Sequence, residues 1–183
     1  MKITPQRIKD ILLITPDIFE DKRGFFLETA RASVLRGAGI PELVQHNHSR
    51  SELGVLRGLH YQLNNPQGKL VRCSKGRVFD VAVDIRKNSP TFGQSLGFIL
   101  DDIKHLQVWI PPGFAHGFLV LSKTADFLYL CSNYYTPGDE HGIYWDDKTL
   151  GIDWPKLPNG ISLKLSDRDK SHPLLSNQSN KYL

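Results

Sequence analysis

Gly54-Val55-Leu56-Arg57-Gly58-Leu59-His60-Tyr61-Gln62, continued by Gln67-Gly68-Lys69-Leu70-Val71, reads as a strand, a turn and a second strand. The two runs place Arg57, His60, Gln62 and Lys69 on or near one hairpin. Polar heads at that density cannot be buried without compensating partners. They must therefore face water or line a pocket, and the rest of the chain favours the pocket. Arg57 and His60 are three residues apart, so a regular strand would point them to opposite faces. Gly58 between them is a natural place for a bulge that turns both the same way.

Outward from this stretch the chain is a succession of short strands. Ile8, Ile11, Leu12, Leu13 and Ile14 predict a first strand that ends before Pro16. Phe25 to Glu28 follows the Asp21-Lys22-Arg23-Gly24 turn, and Leu43 to Ser49 starts apolar and turns polar. Val81, Val83 and Ile85 alternate with Asp80, Ala82 and Asp84. Further strands are expected over Phe92–Leu100, Leu106–Ile110, Phe114–Leu121 and Phe127–Tyr135, separated by proline and glycine turns. Ala30 to Arg36 is the one short helix, ended by Gly37 and Gly39. About ten strands with little helix imply an all-β sandwich or barrel, with the turn-rich segment after Trp145 wrapped around it. A single domain over 1–183 is expected, since no linker, repeat or low-complexity segment interrupts the chain.

The composition narrows the function. At 40% hydrophobic and 23% charged residues the chain is an ordinary globular protein. A net charge of +4 without any dense Lys/Arg block gives no footprint for nucleic acid or a membrane surface. No apolar run reaches the roughly 20 residues of a membrane span, and Met1–Arg7 lacks the apolar core of a signal peptide. Cys73 and Cys131 lie in apolar runs and read as buried thiols of a cytoplasmic protein rather than a disulfide or a zinc site.

His60 and His116 stand in mostly apolar strands, where each could be a satisfied core histidine, a metal ligand or a base. A metal needs three or four ligands, and Gln62 stands where a second histidine would complete a His-x-His pair. His46 and His48 have that spacing and could contribute. As a base, a histidine needs a carboxylate on its other nitrogen. Asp84 in a strand and Asp167 or Asp169 in a polar turn are candidates that the residues alone do not separate. If the strand from Phe127 runs unbroken, Tyr129, Cys131 and Asn133 share one face and Tyr134 points the other way.

Taken in order, Phe19-Glu20-Asp21-Lys22-Arg23-Gly24-Phe25, Arg57-Gly58-Leu59-His60-Tyr61-Gln62, Gln67-Gly68-Lys69-Leu70-Val71, Asp80-Val81-Ala82-Val83-Asp84-Ile85-Arg86 and Ser89-Pro90-Thr91-Phe92-Gly93 resemble the dTDP-4-dehydrorhamnose 3,5-epimerase (RmlC-like) family. So do Pro112-Gly113-Phe114-Ala115-His116-Gly117-Phe118, Asn133-Tyr134-Tyr135, Trp145-Asp146-Asp147 and Ser166-Asp167-Arg168-Asp169, so that the resemblance spans nearly the whole chain. It implies a cupin-type jelly-roll β-barrel with short flanking helices. No metal and no cofactor are implied. It implies a homodimer with exchanged N-terminal strands, and a dTDP-4-keto-6-deoxy sugar inverted at C3 and C5. The implied catalytic set is His60 as base, Asp169 as its carboxylate, Lys69 as oxyanion stabiliser and Tyr129 as acid. Arg23, Glu28, Gln45, Asn47, Arg57, His116, Glu140 and Arg168 are implied to hold the nucleotide sugar, with Tyr134 stacked on thymine. Two positions depart from the family pattern: His46, where aspartate is frequent, and Arg168, where lysine is common.

Three other functions remain open at the level of sequence. They are a relative that inverts only C3 or only C5, or takes a CDP sugar; a metal-dependent cupin; and a non-catalytic sugar-nucleotide binder. A binder would not need an acid and a base together.

Overall fold

The computed structural model describes residues 1–178; the last positions of the expected 1–183 domain lie outside them. Its core is two antiparallel sheets. The first carries, in spatial order, β1 (Lys2–Pro5), β2 (Leu12–Thr15), β10 (Gln107–Ile110), β7 (Lys69–Lys75), β12 (Thr124–Cys131) and β5 (Gln45–Glu52). The second carries β13 (Glu140–Gly142), β6 (Leu56–Gln62), β11 (Phe114–Val120), β8 (Arg77–Asp84) and β9 (Ser95–Asp101). A separate hairpin is made by β3 (Ile18–Asp21) and β4 (Gly24–Leu27). Short helices, α1 (Ala32–Gly37) and α2 (Asp167–Ser171), flank the sheets. This is the expected cupin-type jelly roll.

The main core lies between the sheets. Val71, Cys73, Val108, Ala125 and Phe127 of the first sheet meet Val78, Ala82, Leu100, Phe114, Phe118 and Val120 of the second. The outer faces are covered as well. Leu35 of α1 and Ile40 pack with Ile14, Leu70 and Trp109 on the first sheet. Ile143, Leu150, Ile152 and Trp154 pack with Leu59, Tyr61, Val81, Val83 and Ala115 on the second. Burial on both faces is why every residue of β11 is buried and why β8 is buried almost throughout. Cys73 and Cys131 are buried free thiols.

The structure departs from the sequence reading in four places. Ile8 and Ile11 are core residues of the turn between β1 and β2, where Gln6 N–H bonds to Ile11 O at 3.0 Å. A turn can bury two isoleucines as well as a strand can, so apolar content alone placed the strand too early. The strand expected from Phe92 begins at Ser95, because Phe92 and Gln94 close turns onto Ser89 and Thr91. The strand expected to reach Tyr135 ends at Cys131, where the Ser132 side chain accepts the Gly68 N–H at 2.8 Å. Finally, the opening stretch is no hairpin. β6 pairs with β11 and β13, while β7 pairs with β10 and β12, so the two strands lie in opposite sheets. The link between them crosses the sandwich and is pinned by Asp139, whose carboxylate accepts the Asn64 and Asn65 N–H groups at 2.9 and 2.8 Å.

Candidate active site

The inward faces of β7, β11 and β12 are apolar at one end of the sandwich and polar at the other. β7 presents Lys69 above Val71 and Cys73, β12 presents Tyr129 above Phe127 and Ala125, and β11 presents His116 above Phe118 and Val120. The polar ends surround a cavity of about 480 Å³. Gln45, Asn47, Arg57, His60, Lys69, His116, Tyr129, Glu140, Arg168 and Asp169 line it, along with Gln67 and Tyr135. A groove of about 510 Å³ elsewhere, by Arg7 and Arg86, is lined by none of the expected site residues.

The bulge expected at Gly58 is present. Arg57 pairs with Phe118 and His60 with His116, so the register slips between them and both side chains enter the cavity. Gly58 takes φ +124°, and a Cβ there would lie 2.5 Å from Gly117 Cα and 2.8 Å from His116 O. Reciprocally, a Cβ on Gly117 would lie 2.6 Å from Arg57 O. Only glycine at both positions allows this approach.

His60 Nε2 lies 2.6 Å from Asp169 Oδ1. With a carboxylate on Nε2, that nitrogen carries the proton and donates, leaving the Nδ1 lone pair available. Asp169 is buried in α2, and its Oδ2 accepts the Ser166 hydroxyl at 2.7 Å. Ser166 also caps the helix, accepting the Asp169 N–H at 3.1 Å. Burial raises the Asp169 pKa, but the hydrogen bonds from His60 and Ser166 outweigh it, and the carboxyl stays below its usual range. Glu140 Oε1 lies 3.9 Å from His60 Nδ1, while Arg168 holds the Glu140 carbonyl at 2.6 Å and pairs with its carboxylate.

The opposite sheet supplies Lys69 and Tyr129. Burial pushes the Lys69 ammonium down, against Cys131, Glu140 and Asp80, which favour its charged form. Burial, then Cys131 and Glu140, push the Tyr129 phenol up, while Arg57 opposes them. Tyr129 is thus protonated at neutral pH, as an acid must be. Gln45 donates to Asn47 Oδ1 at 3.1 Å and accepts the Tyr135 N–H at 2.8 Å, and Arg57 donates to Ser51 at 3.1 Å. The cavity therefore has a carboxylate-oriented imidazole on one wall and a cation with a phenol on the other.

Three of the expected site residues lie elsewhere in this chain. Arg23 is at the tip of the β3–β4 hairpin, paired with Asp21, and Glu28 pairs with Arg31. Tyr134 is 64% exposed and does not line the cavity; with β12 ended at Cys131, its neighbour Tyr135 does. The His46–His48 pair also fails as a partner for His60 or His116. The two histidines are exposed on the outer face of β5, which turns Gln45, Asn47 and Ser49 inward. His60, Asp169 and His172 bring ligand-type atoms within 4.8 Å of one another. There, Asp169 already has Oδ1 bonded to His60 and Oδ2 to Ser166, so hydrogen bonding accounts for the approach of His60 and Asp169, while His172 Nε2 stands 3.7 Å from the same Oδ1. Asp84 is not the orienting carboxylate: it is fully buried and ties down the following turn through Arg86, Ser89 and Thr91.

Sequence reasoning missed Asp80 and Ser166. His116 Nε2 lies 2.7 Å from Asp80 Oδ1, a second buried imidazole–carboxylate pair, and Asp80 Oδ2 has no partner among the described residues. Asp80 was not legible, because the alternation puts it opposite Val81, Val83 and Ile85, whereas the structure buries both faces of β8 and turns the Val78 and Ala82 parity to the core between the sheets. Ser166 stands three residues before Asp169, a cap spacing readable in sequence.

A family profile described as dTDP-4-dehydrorhamnose 3,5-epimerase matches residues 5–177. The dTDP-4-dehydrorhamnose 3,5-epimerase of Salmonella typhimurium is 50% identical over 181 residues, covering 96% of both chains. The crystal structure of the Legionella pneumophila dTDP-6-deoxy-D-glucose-3,5-epimerase, in complex with dTDP-4-keto-L-rhamnose, superposes with a TM-score of 0.92 at 49% identity, covering 96% of this chain and 93% of that one. ChmJ, a 3′-monoepimerase from Streptomyces bikiniensis solved with dTDP-quinovose, superposes at 0.86 with 36% identity, covering 94% of this chain and 87% of that one. A fold shared along its whole length, a profile match over nearly every residue and half-identical relatives place this chain in the dTDP-4-dehydrorhamnose 3,5-epimerase family.

Proposed function

We propose that the chain, acting as one domain, epimerises dTDP-4-dehydro-6-deoxy-D-glucose at C3 and C5 to give dTDP-4-dehydro-L-rhamnose. The observation that carries the residue assignment is the placement of His60 on one sheet, held by Asp169 of α2, and of Tyr129 and Lys69 on the other, across one cavity. The 4-keto group acidifies the protons on its two flanking carbons. His60 Nδ1 takes such a proton, and the imidazolium formed is held by Asp169. The electron pair moves onto the keto oxygen, where the Lys69 ammonium meets the developing negative charge in a partly dehydrated site. Tyr129 returns a proton to the opposite face of the carbon, which inverts it. Both groups then reset by exchange with water. The cycle consumes no electrons, so it needs no redox cofactor.

Arg57 and Arg168 suit the diphosphate, since forked guanidinium donors match its oxygens. Gln45, Asn47, His116 and Glu140 supply further polar contacts to the nucleotide sugar. Binding of the remote nucleotide fixes the sugar between acid and base. Tyr134, exposed beside the cavity-lining Tyr135, is the residue this reading gives to stacking on thymine.

A homodimer completes the site in this reading. Of the N-terminal strands, the β3–β4 hairpin joins no other sheet of its own chain among the described residues, which favours it as the exchanged element. It exposes Phe19 (64%), Phe25 (57%) and Phe26 (69%), an apolar surface on which the described residues set only the His105 ring against Phe25. Docked on a second copy, it would bring Arg23 and Glu28 to that copy's cavity.

The test is turnover after chelator treatment, followed by a rhamnose-forming reductase that accepts only the doubly inverted sugar. Reductase-dependent conversion supports the reading, and a product inverted at one carbon would move the chain to the single-site relatives that ChmJ represents.

A further inference from the structure

Behind the His60–Asp169 pair stands a side chain that the mechanism does not use. His172 directly follows α2, and its side chain is 9% exposed. Its ring is edge-on to that of His60, with centroids 5.6 Å apart at 78°. Its Nε2 lies 3.7 Å from Asp169 Oδ1, the oxygen that His60 already holds at 2.6 Å. The longer distance is outside hydrogen-bond range, and Nε2 is buried without a partner among the described residues. Such a group costs stability, and the surroundings hold it in place. The ring sits on the bare Cα of Gly142, where a Cβ would come within 2.3 Å of Nε2. The next residue is anchored by Tyr144, which donates to Pro173 O at 2.8 Å.

Resting on the epimerase reading, we propose that His172 is a positioning residue that sets the basicity of His60 through Asp169. The facing carboxylate draws the His172 proton onto Nε2. That N–H dipole then competes for the negative charge which otherwise stabilises protonated His60. His60 is thereby kept in the form that accepts a proton from the sugar. The charged and titratable groups facing His172 are His60 from β6, Asp169 and Arg168 from α2, and Glu140 from β13. Burial first, then His60 and Arg168, push its own pKa down against the two carboxylates, so it acts as a neutral imidazole.

The test compares His172→Leu, which removes both nitrogens at similar volume, with His172→Gln, whose amide reaches the position of Nε2. In His172→Leu the acidic limb of the kcat/KM profile should rise by roughly half to one pH unit, a several-fold loss near pH ~6 that fades above pH ~8. Affinity for dTDP should stay within about two-fold, because His172 does not line the cavity. His172→Gln should return most of the shift. Gly142→Ala, which pushes the ring off its seat, should reproduce the His172→Leu shift. The titration midpoint of the His60 ring, followed by NMR, should move in parallel. An unmoved midpoint in folded His172→Leu or Gly142→Ala, or identical behaviour of the Leu and Gln variants, would overturn the proposal. Absence of any wild-type turnover would sink the epimerase reading instead, while the His60 titration would still decide the role of His172.

Discussion

His60 offers Nδ1 to the cavity because Nε2 is committed to Asp169 at 2.6 Å. His60→Ala should therefore lower kcat by ~10²-fold or more, the usual weight of a general base, while dTDP binding measured by calorimetry stays mostly intact. Near-full turnover in that variant would remove His60 from the base role. Tyr129→Phe, with the base untouched, should lose inverted product far more than it loses exchange of the sugar's protons with solvent. Equal loss of both would count against Tyr129 as the returning acid. At this scale much was legible in the sequence. The Arg57/His60 spacing required a bulge, and Gly58 was its evident place. Tyr134 was not legible, because the end of β12 is set by a contact distant in sequence, Ser132 on Gly68. Asp169 could be tied to His60 only by resemblance, since no local pattern shows which carboxylate meets an imidazole 109 residues away.

At the scale of elements, β6 and β7 carry the site because they lie in opposite sheets. Read locally, a short polar link between two strands is a hairpin. The crossover is decided by pairings to β10, β11, β12 and β13, which sequence spacing does not contain. The strand class and the two-sheet architecture were legible from strand length and turn spacing. Close packing of β6 on β11 gives a prediction: Gly117→Ala should destabilise the fold by about 1–3 kcal/mol and cost activity even where the chain folds, because the bulge aims both Arg57 and His60. Wild-type melting temperature and turnover in that variant would contradict this. At the end of β8, burial raises the Asp84 pKa, but donors from Arg86, Ser89 and Thr91 bring it down to about 2. A carboxyl depressed in the folded state stabilises above its unfolded pKa and loses that contribution as pH falls through the folded one. Asp84 should thus contribute about 2 kcal/mol at neutral pH, lost between about pH 4 and pH 2. Asp84→Asn should flatten this part of the acid-unfolding curve; an unchanged curve would refute the assignment.

At the scale of the whole molecule, the single chain gathers an imidazole, a phenol and an ammonium in one cavity but leaves Arg23 on the exposed β3–β4 hairpin and Glu28 just after it, both outside that cavity. Phe25→Asp with Phe26→Asp should yield monomers in sedimentation experiments. Arg23→Ala should raise KM about ten-fold with kcat little changed, the mark of lost uniform binding. A dimer unaffected by the paired Asp substitutions would place the interface elsewhere. The central claim is that one cavity, with an imidazole on one wall and a phenol and an ammonium on the other, exchanges and inverts two carbons flanking one keto group. The most direct measurement is proton NMR of dTDP-4-dehydro-6-deoxy-D-glucose with the chelator-treated protein in D2O. Deuterium should enter at both C3 and C5 as the inverted product forms; incorporation at neither carbon would contradict the account.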